Sequence, residues 1–113
     1  MNFKKSFILT KTPLRVSFFG GGTDLPNFFN RFYGHVISSS INSYVYTAIK
    51  SHDGLFGEDY RLNYSKTEHV KGSLINIDNN IIRSCLKYLK IKERMNITIS
   101  TDIPSFSGLG SSS

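Results

Sequence analysis

The stretch RVSFFGGGTDLP, from Arg15 to Pro26, decides how the rest of the chain is read. It passes from a β-prone segment through three consecutive glycines into residues suited to a helix start. Asp24 is placed to cap a helix and Pro26 to occupy its first turn. Leu25, Phe28, Phe29 and Phe32 would share one face of that helix, with Tyr33-Gly34 ending it. On the other side, residues 7–19 are dominated by β-branched and aromatic types. Pro13 lacks the N–H that a ladder requires, so two short strands are predicted around Lys11-Thr12-Pro13.

Glycines at such a turn let a ligand approach the backbone, and helix amides beyond them favour anions or hydroxyls. In that chemistry Gly21, Gly22, Thr23 and Asp24 are the candidate binding residues, and Arg15 the group that balances phosphate charge. The plainer reading is a tight turn with a capping aspartate. A dinucleotide fingerprint is excluded, because Leu25 stands where its third glycine would fall.

Outward from this stretch, residues 36–49 are β-prone, with Tyr44, Tyr46 and Ala48 alternating against Val45, Thr47 and Ile49 as a strand pair would. A loop holds Gly54 and Gly57. Residues 60–65 form a further short strand, followed by a polar connection over 66–78. Asp78 is the expected cap of an amphipathic helix whose stripe is Ile81, Cys85 and Leu89, flanked by Ile82 and Leu86. Lys87 and Lys90 suit its C-terminal end. Residues 95–101 alternate Met95, Ile97 and Ile99 inward as a half-buried strand. Strands and helices mix without regular β-α-β alternation, so the expected class is α+β, a mixed sheet packed on helices.

The chain of 113 residues, 39% hydrophobic, has the size and composition of one globular domain. Its net charge of +6 is scattered rather than clustered, which describes a solvated surface with some bias towards anionic small substrates. A basic nucleic-acid-binding domain is a weaker reading, since Phe3, Phe7, Phe18, Phe19, Tyr44 and Tyr46 in alternating strands are expected in the core. The expectation is no nucleic-acid or membrane partner and a cytoplasmic location, the apolar run near the N-terminus being too short for a signal or a span. Cys85, the one cysteine, cannot form an internal disulfide and is expected to be buried. His35, His52 and His69 lack metal-site spacing, and Asp53, Glu58, Asp59, Glu68 and Glu93 are expected at the surface.

The closing stretch IPSFSGLGSSS, residues 103–113, follows a strand with a loop containing Gly108 and Gly110 and then three serines. Backbone amides in such a loop can cradle nucleotide phosphates while a serine hydroxyl reaches Mg²⁺. It is not a Walker A loop, because no lysine follows the second glycine. Alone, it reads as a linker rather than a site.

Taken together and in this order, the two motifs resemble those of the GHMP kinases (galactokinase, homoserine, mevalonate and phosphomevalonate kinases). The first stands here as Pro13-Leu14-Arg15 through Thr23-Asp24, and the second as Pro104 through Ser112. The GGGTDLP form, with YSKTE at 64–68 and IIRSCLKYL at 81–89, is most like the heptose-phosphate kinase branch.

The resemblance implies a partial N-terminal GHMP kinase domain over residues 1–113, ending at the ATP phosphate loop. It also implies ATP-dependent transfer to a sugar hydroxyl, the anomeric one of a phosphorylated sugar. By the same resemblance, Gly21, Gly22, Thr23 and Asp24 bind substrate, and Arg15 steadies charge at the reacting centre. Ser107, Gly108, Leu109, Gly110, Ser111, Ser112 and Ser113 wrap the phosphates, and Ser112 takes Mg²⁺. Phe106 departs from the family pattern, where a glycine is common. The family's catalytic aspartate and acidic Mg²⁺ ligand would lie beyond Ser113, so these residues alone are expected to be inactive. A non-catalytic sugar-phosphate or nucleotide-binding module is the alternative.

Overall fold

The structure, a computed structural model, describes residues 6–54 and 57–104. In chain order these form β1 (Phe7–Phe19), a 3₁₀ turn (Gly21–Asp24), α1 (Pro26–Phe29), β2 (Ile37–Ser51), β3 (Tyr60–Asn63) and β4 (Thr67–Val70). A second 3₁₀ turn (Leu74–Asn76), α2 (Asn80–Tyr88) and β5 (Met95–Thr101) follow. The strands make one five-stranded sheet in the order β1-β2-β5-β3-β4. β3 pairs antiparallel with β4 and parallel with β5, so the sheet is mixed and the class α+β, as expected. Parallel neighbours cannot be joined by a hairpin, and α2 lies in the connection that returns the chain to β5.

The chain divides into two compact units: residues 1–10 with 46–100, and residues 11–45 with 101–113. The first contains a core of Tyr60, Leu62, Val70, Ile77, Ile82, Leu86, Met95 and Ile97, with Leu62 and Ile77 fully enclosed. β3 contributes Tyr60 and Leu62 and β5 contributes Met95 and Ile97, the alternate positions that a pleated strand turns to one face. From α2 come Ile82 and Leu86, one helical turn apart; burying each contributes about 1.5–3 kcal/mol.

Three sequence expectations change in this unit. α2 is capped by Asn79, whose Oδ1 accepts the amides of Ile81 and Ile82 at 3.1 Å each; Asp78 instead pairs with Lys66 at 2.5 Å. Cys85 is exposed, because Ile82 and Leu86 face the core while Ile81, Cys85 and Leu89, about 100° away around the helix, do not. Those three border an apolar cleft of about 280 Å³ whose other walls include Ile8, Ile49 and Ile99. The connection over 66–78 contains β4, where Glu68 and Val70 point inward. A strand with a buried glutamate has no apolar alternation to read.

In the second unit Leu14 is the one buried side chain among the described residues. β1 runs unbroken through Pro13, contrary to the two strands expected: it lies first in the sheet order, and an edge strand tolerates the missing N–H. Phe18 and Phe19, like Phe7 in the first unit, are exposed rather than core. Tyr44 and Tyr46 are half-buried, and Phe3 lies outside the described residues.

Candidate functional site

The first motif forms a tight loop within the second unit. Gly20 has φ +88°, a left-handed conformation that glycine adopts without strain, and a Cβ there would stand 1.8 Å from the carbonyl oxygen of His35. Thr23 closes the turn: its amide donates to Gly20 O at 2.9 Å. Its hydroxyl lies 2.6 Å from Gly20 O, to which it donates, and 3.2 Å from His35 O. A Cβ at Gly34 would lie 3.0 Å from Thr23 O. Loop 20–24 is therefore seated on the backbone of residues 34–36.

Gly21 and Gly22 differ from Gly20. Neither is left-handed, and a Cβ on either would meet nothing within 4 Å. The protein's own packing does not require glycine at these positions. Asp24 and Arg15 are exposed, and neither side chain makes an ion pair or hydrogen bond to another described residue. The structure thus places Gly21, Gly22 and Asp24 on one short, open turn, while the Thr23 hydroxyl is engaged in holding it.

The helix start expected here is not built as the sequence suggested. Asp24 closes the 3₁₀ turn and caps nothing; the N-cap of α1 is Leu25, with no side-chain cap. α1 has only four residues and begins with Pro26, which has no N–H to offer. So short a helix provides no anion site through its dipole.

The second motif, residues 105–113, lies outside the described residues, and with it Ser107, Gly108, Leu109, Gly110, Ser111, Ser112 and Ser113. Its approach is described. Thr101 Oγ1 accepts the Ile103 amide at 3.3 Å and lies 3.1 Å from Ile103 O. Asp102 donates its amide to Tyr44 O at 3.0 Å and accepts the Tyr44 amide on Oδ2 at 2.8 Å. Sequence reading missed this pairing because its partners are 58 residues apart.

Two buried carboxylates were also missed, both in the first unit, where surface residues were expected. Glu58 pairs with Arg61 and with His69 Nδ1. The hydrogen bond from His69, with that from Arg61, holds the Glu58 carboxyl below the usual glutamate range. Glu68 accepts the Tyr64 hydroxyl and the amides of Asp78 at 2.8 Å and Asn79 at 3.1 Å, tying β4 to the start of α2. Beside them, the Gly72 amide and the Arg94 guanidinium lower the Asp59 carboxyl. These groups are fully occupied with structural partners. Among the described residues no three His, Cys, Asp or Glu side chains are grouped to hold a metal ion, and no helix is long and apolar enough to cross a membrane.

No protein-family model matches the sequence. Over 94% of its length the chain is 32% identical to D-glycero-alpha-D-manno-heptose 7-phosphate kinase of Campylobacter jejuni, and it spans 34% of that protein. Its fold matches a D-glycero-D-manno-heptose 1-phosphate kinase from Bacteroides thetaiotaomicron, with a TM-score of 0.73 and 22% identity over 93% of this chain and 37% of that one. A Campylobacter jejuni protein provisionally classed as a sugar kinase gives a TM-score of 0.67 at 23% identity, over 96% and 37% of the two chains. The chain therefore spans about a third of the length of the relatives it matches.

Proposed function

We propose that this chain, which belongs with the GHMP sugar kinases in sequence and fold, is part of an ATP-dependent sugar kinase and forms part of that enzyme's N-terminal domain. The reaction is phosphoryl transfer from MgATP to a sugar hydroxyl, with the anomeric hydroxyl of a heptose 7-phosphate as the favoured acceptor. Supporting the reading is the 32% identity over 94% of the chain to a heptose 7-phosphate kinase.

One structural observation carries it further. In loop 20–24 the residues that hold the fold, Gly20 and Thr23, are distinct from those left open, Gly21, Gly22 and Asp24. Glycines that packing does not require suit a surface over which a sugar must approach the backbone. A carboxylate beside them can accept hydrogen bonds from sugar hydroxyls. Arg15 supplies positive charge for a phosphorylated substrate or the transferred group. In this reading residues 107–113 would hold the ATP phosphates and Ser112 would take Mg²⁺, which when bound would neutralise phosphate charge.

The test is ATP consumption by the full-length polypeptide with heptose 7-phosphate, galactose, fucose and mevalonate as acceptors. Turnover with the heptose phosphate is expected. Absence of turnover with every sugar and sugar phosphate, alongside measurable ATP or sugar-phosphate binding, would leave the non-catalytic module in place of the kinase.

A further inference from the structure

Gly34 lies outside both motifs, and pattern alone gives it only the task of ending a helix. In the folded chain it abuts the turn at residues 20–24. A Cβ at residue 34 would stand 3.0 Å from Thr23 O, 3.1 Å from Thr23 Oγ1 and 3.4 Å from Thr23 Cβ. Its φ is not left-handed, so the backbone itself would accept a side chain. The close approach of Thr23 is therefore what calls for glycine here, whereas at Gly20 conformation and contact both do.

Thr23 stands between Gly22 and Asp24 and is tied into the turn. Its amide donates to Gly20 O at 2.9 Å, and its hydroxyl donates to the same oxygen at 2.6 Å. With Gly20 against His35 O and Gly34 against Thr23 O, two stretches of backbone meet with no side chain between them. A methyl group at residue 34 has to push Thr23 aside by a few tenths of an ångström, because the nearest atom is a backbone carbonyl oxygen. Asp24, the next residue, is exposed on the same turn beside the open Gly21 and Gly22 and moves with it.

We propose that Gly34 is a positioning residue for sugar binding: by admitting Thr23 this closely, it sets where the Asp24 carboxylate stands. This rests on the reading of the turn at residues 20–24 as the sugar site. Gly34 touches no substrate in this role; it acts through Thr23 on Asp24. Hydrogen-bonded recognition depends on acceptors held to a fraction of an ångström, so a displacement of this size weakens sugar binding without abolishing it.

The experiment measures steady-state kinetics of the full-length polypeptide with MgATP and heptose 7-phosphate, for Gly34→Ala alone and in an Asp24→Ala background. Gly34→Ala alone is expected to raise KM for the sugar phosphate about fivefold, with KM for ATP and kcat within about twofold of wild type. In the Asp24→Ala background the same substitution should change KM for the sugar phosphate by less than about twofold, since the group it positions is gone. An unchanged sugar KM in Gly34→Ala overturns the proposal, as do an equal rise in both KM values and a rise that persists in full without the Asp24 carboxylate. Should Gly34→Ala not fold, Thr23→Val decides, because it keeps the shape of residue 23 and removes the hydroxyl that ties it to Gly20. A sugar KM raised only while Asp24 is present supports the role; a rise independent of Asp24, or none, overturns it. If Asp24→Ala by itself leaves sugar kinetics unchanged, the reading of this turn as the sugar site falls and this role with it. If Asp24→Ala raises the sugar KM and Gly34→Ala does not, this role falls alone.

Discussion

Gly20 lies directly against the carbonyl of His35: a Cβ at residue 20 would come within 1.8 Å of that oxygen. The obstacle is backbone, which cannot rotate aside as a side chain can, and φ of +88° adds strain for any other residue. Gly20→Ala is therefore expected to cost at least about 2 kcal/mol and to displace the turn that carries Asp24. Gly21→Ala and Gly22→Ala should leave stability within about 0.5 kcal/mol, because nothing occupies the space a Cβ would take. Urea unfolding of the three variants separates these outcomes. In the full-length polypeptide the second pair should instead raise KM for the sugar.

Asp24 is open on the same turn, and Asp24→Ala should raise KM for the sugar by about tenfold or more while leaving KM for ATP and thermal stability near wild type. Sugar kinetics unchanged by this substitution would place the substrate elsewhere.

The helix cap offers a paired comparison. Asn79→Ala removes the acceptor for the Ile81 and Ile82 amides and should destabilise by about 1 kcal/mol. Asp78→Ala breaks only an exposed pair with Lys66 and should cost less than about 1 kcal/mol. Chemical denaturation read by circular dichroism at 222 nm checks both.

Glu68 joins β4 to α2 through the Tyr64 hydroxyl and the Asp78 and Asn79 amides. Its removal leaves buried donors unpaired, and Glu68→Ala should cost about 2–3 kcal/mol. Glu68→Gln retains one oxygen acceptor and should cost less. The expected readout is earlier hydrogen exchange at Asp78 and Asn79 than elsewhere in α2.

Acid should unfold the protein through its paired carboxylates. Glu58, Asp59 and Asp78 all titrate below their ordinary values in the folded state: Glu58 by the His69 and Arg61 hydrogen bonds, Asp59 by the Gly72 amide and Arg94, and Asp78 by Lys66. The unfolded chain then takes up protons first as pH falls. Their stabilisation is fully present above the unfolded values of about 4 and is lost as pH drops through the lower folded values. Urea midpoints measured from pH 7 to pH 3 should be flat at the upper end and fall below about pH 4, with a shallower fall in Glu58→Gln.

Local pattern was enough for β5 and for the existence of α2. In β5 the two-residue alternation of Met95, Ile97 and Ile99 coincides with its burial, and in α2 Ile81, Ile82, Cys85, Leu86 and Leu89 gather within about 140° of the helix circumference. The mixed α+β class was likewise legible, and so was the turn at residues 20–24, since glycines and prolines act on the backbone within a few residues of themselves. Which apolar stripe of α2 enters the core was not: Ile82-Leu86 and Ile81-Cys85-Leu89 are equivalent until a sheet packs against one of them.

The tertiary fold alone decided the roles of polar residues whose partners are distant in sequence. Glu58 and Glu68 look like surface carboxylates in sequence and become buried acceptors because the β3-β4 pairing brings Arg61 and His69 to Glu58, while β4 turns Glu68 towards Tyr64 and the start of α2. Asp102 became a clamp only when β5 brought it to Tyr44. Gly20, Gly21 and Gly22 are identical as letters, yet only the backbone of residues 34–36 makes the first indispensable to the fold and leaves the other two open. Sequence specifies which conformations and partners a residue can accept; the folded chain determines which of them lie within hydrogen-bonding or van der Waals reach.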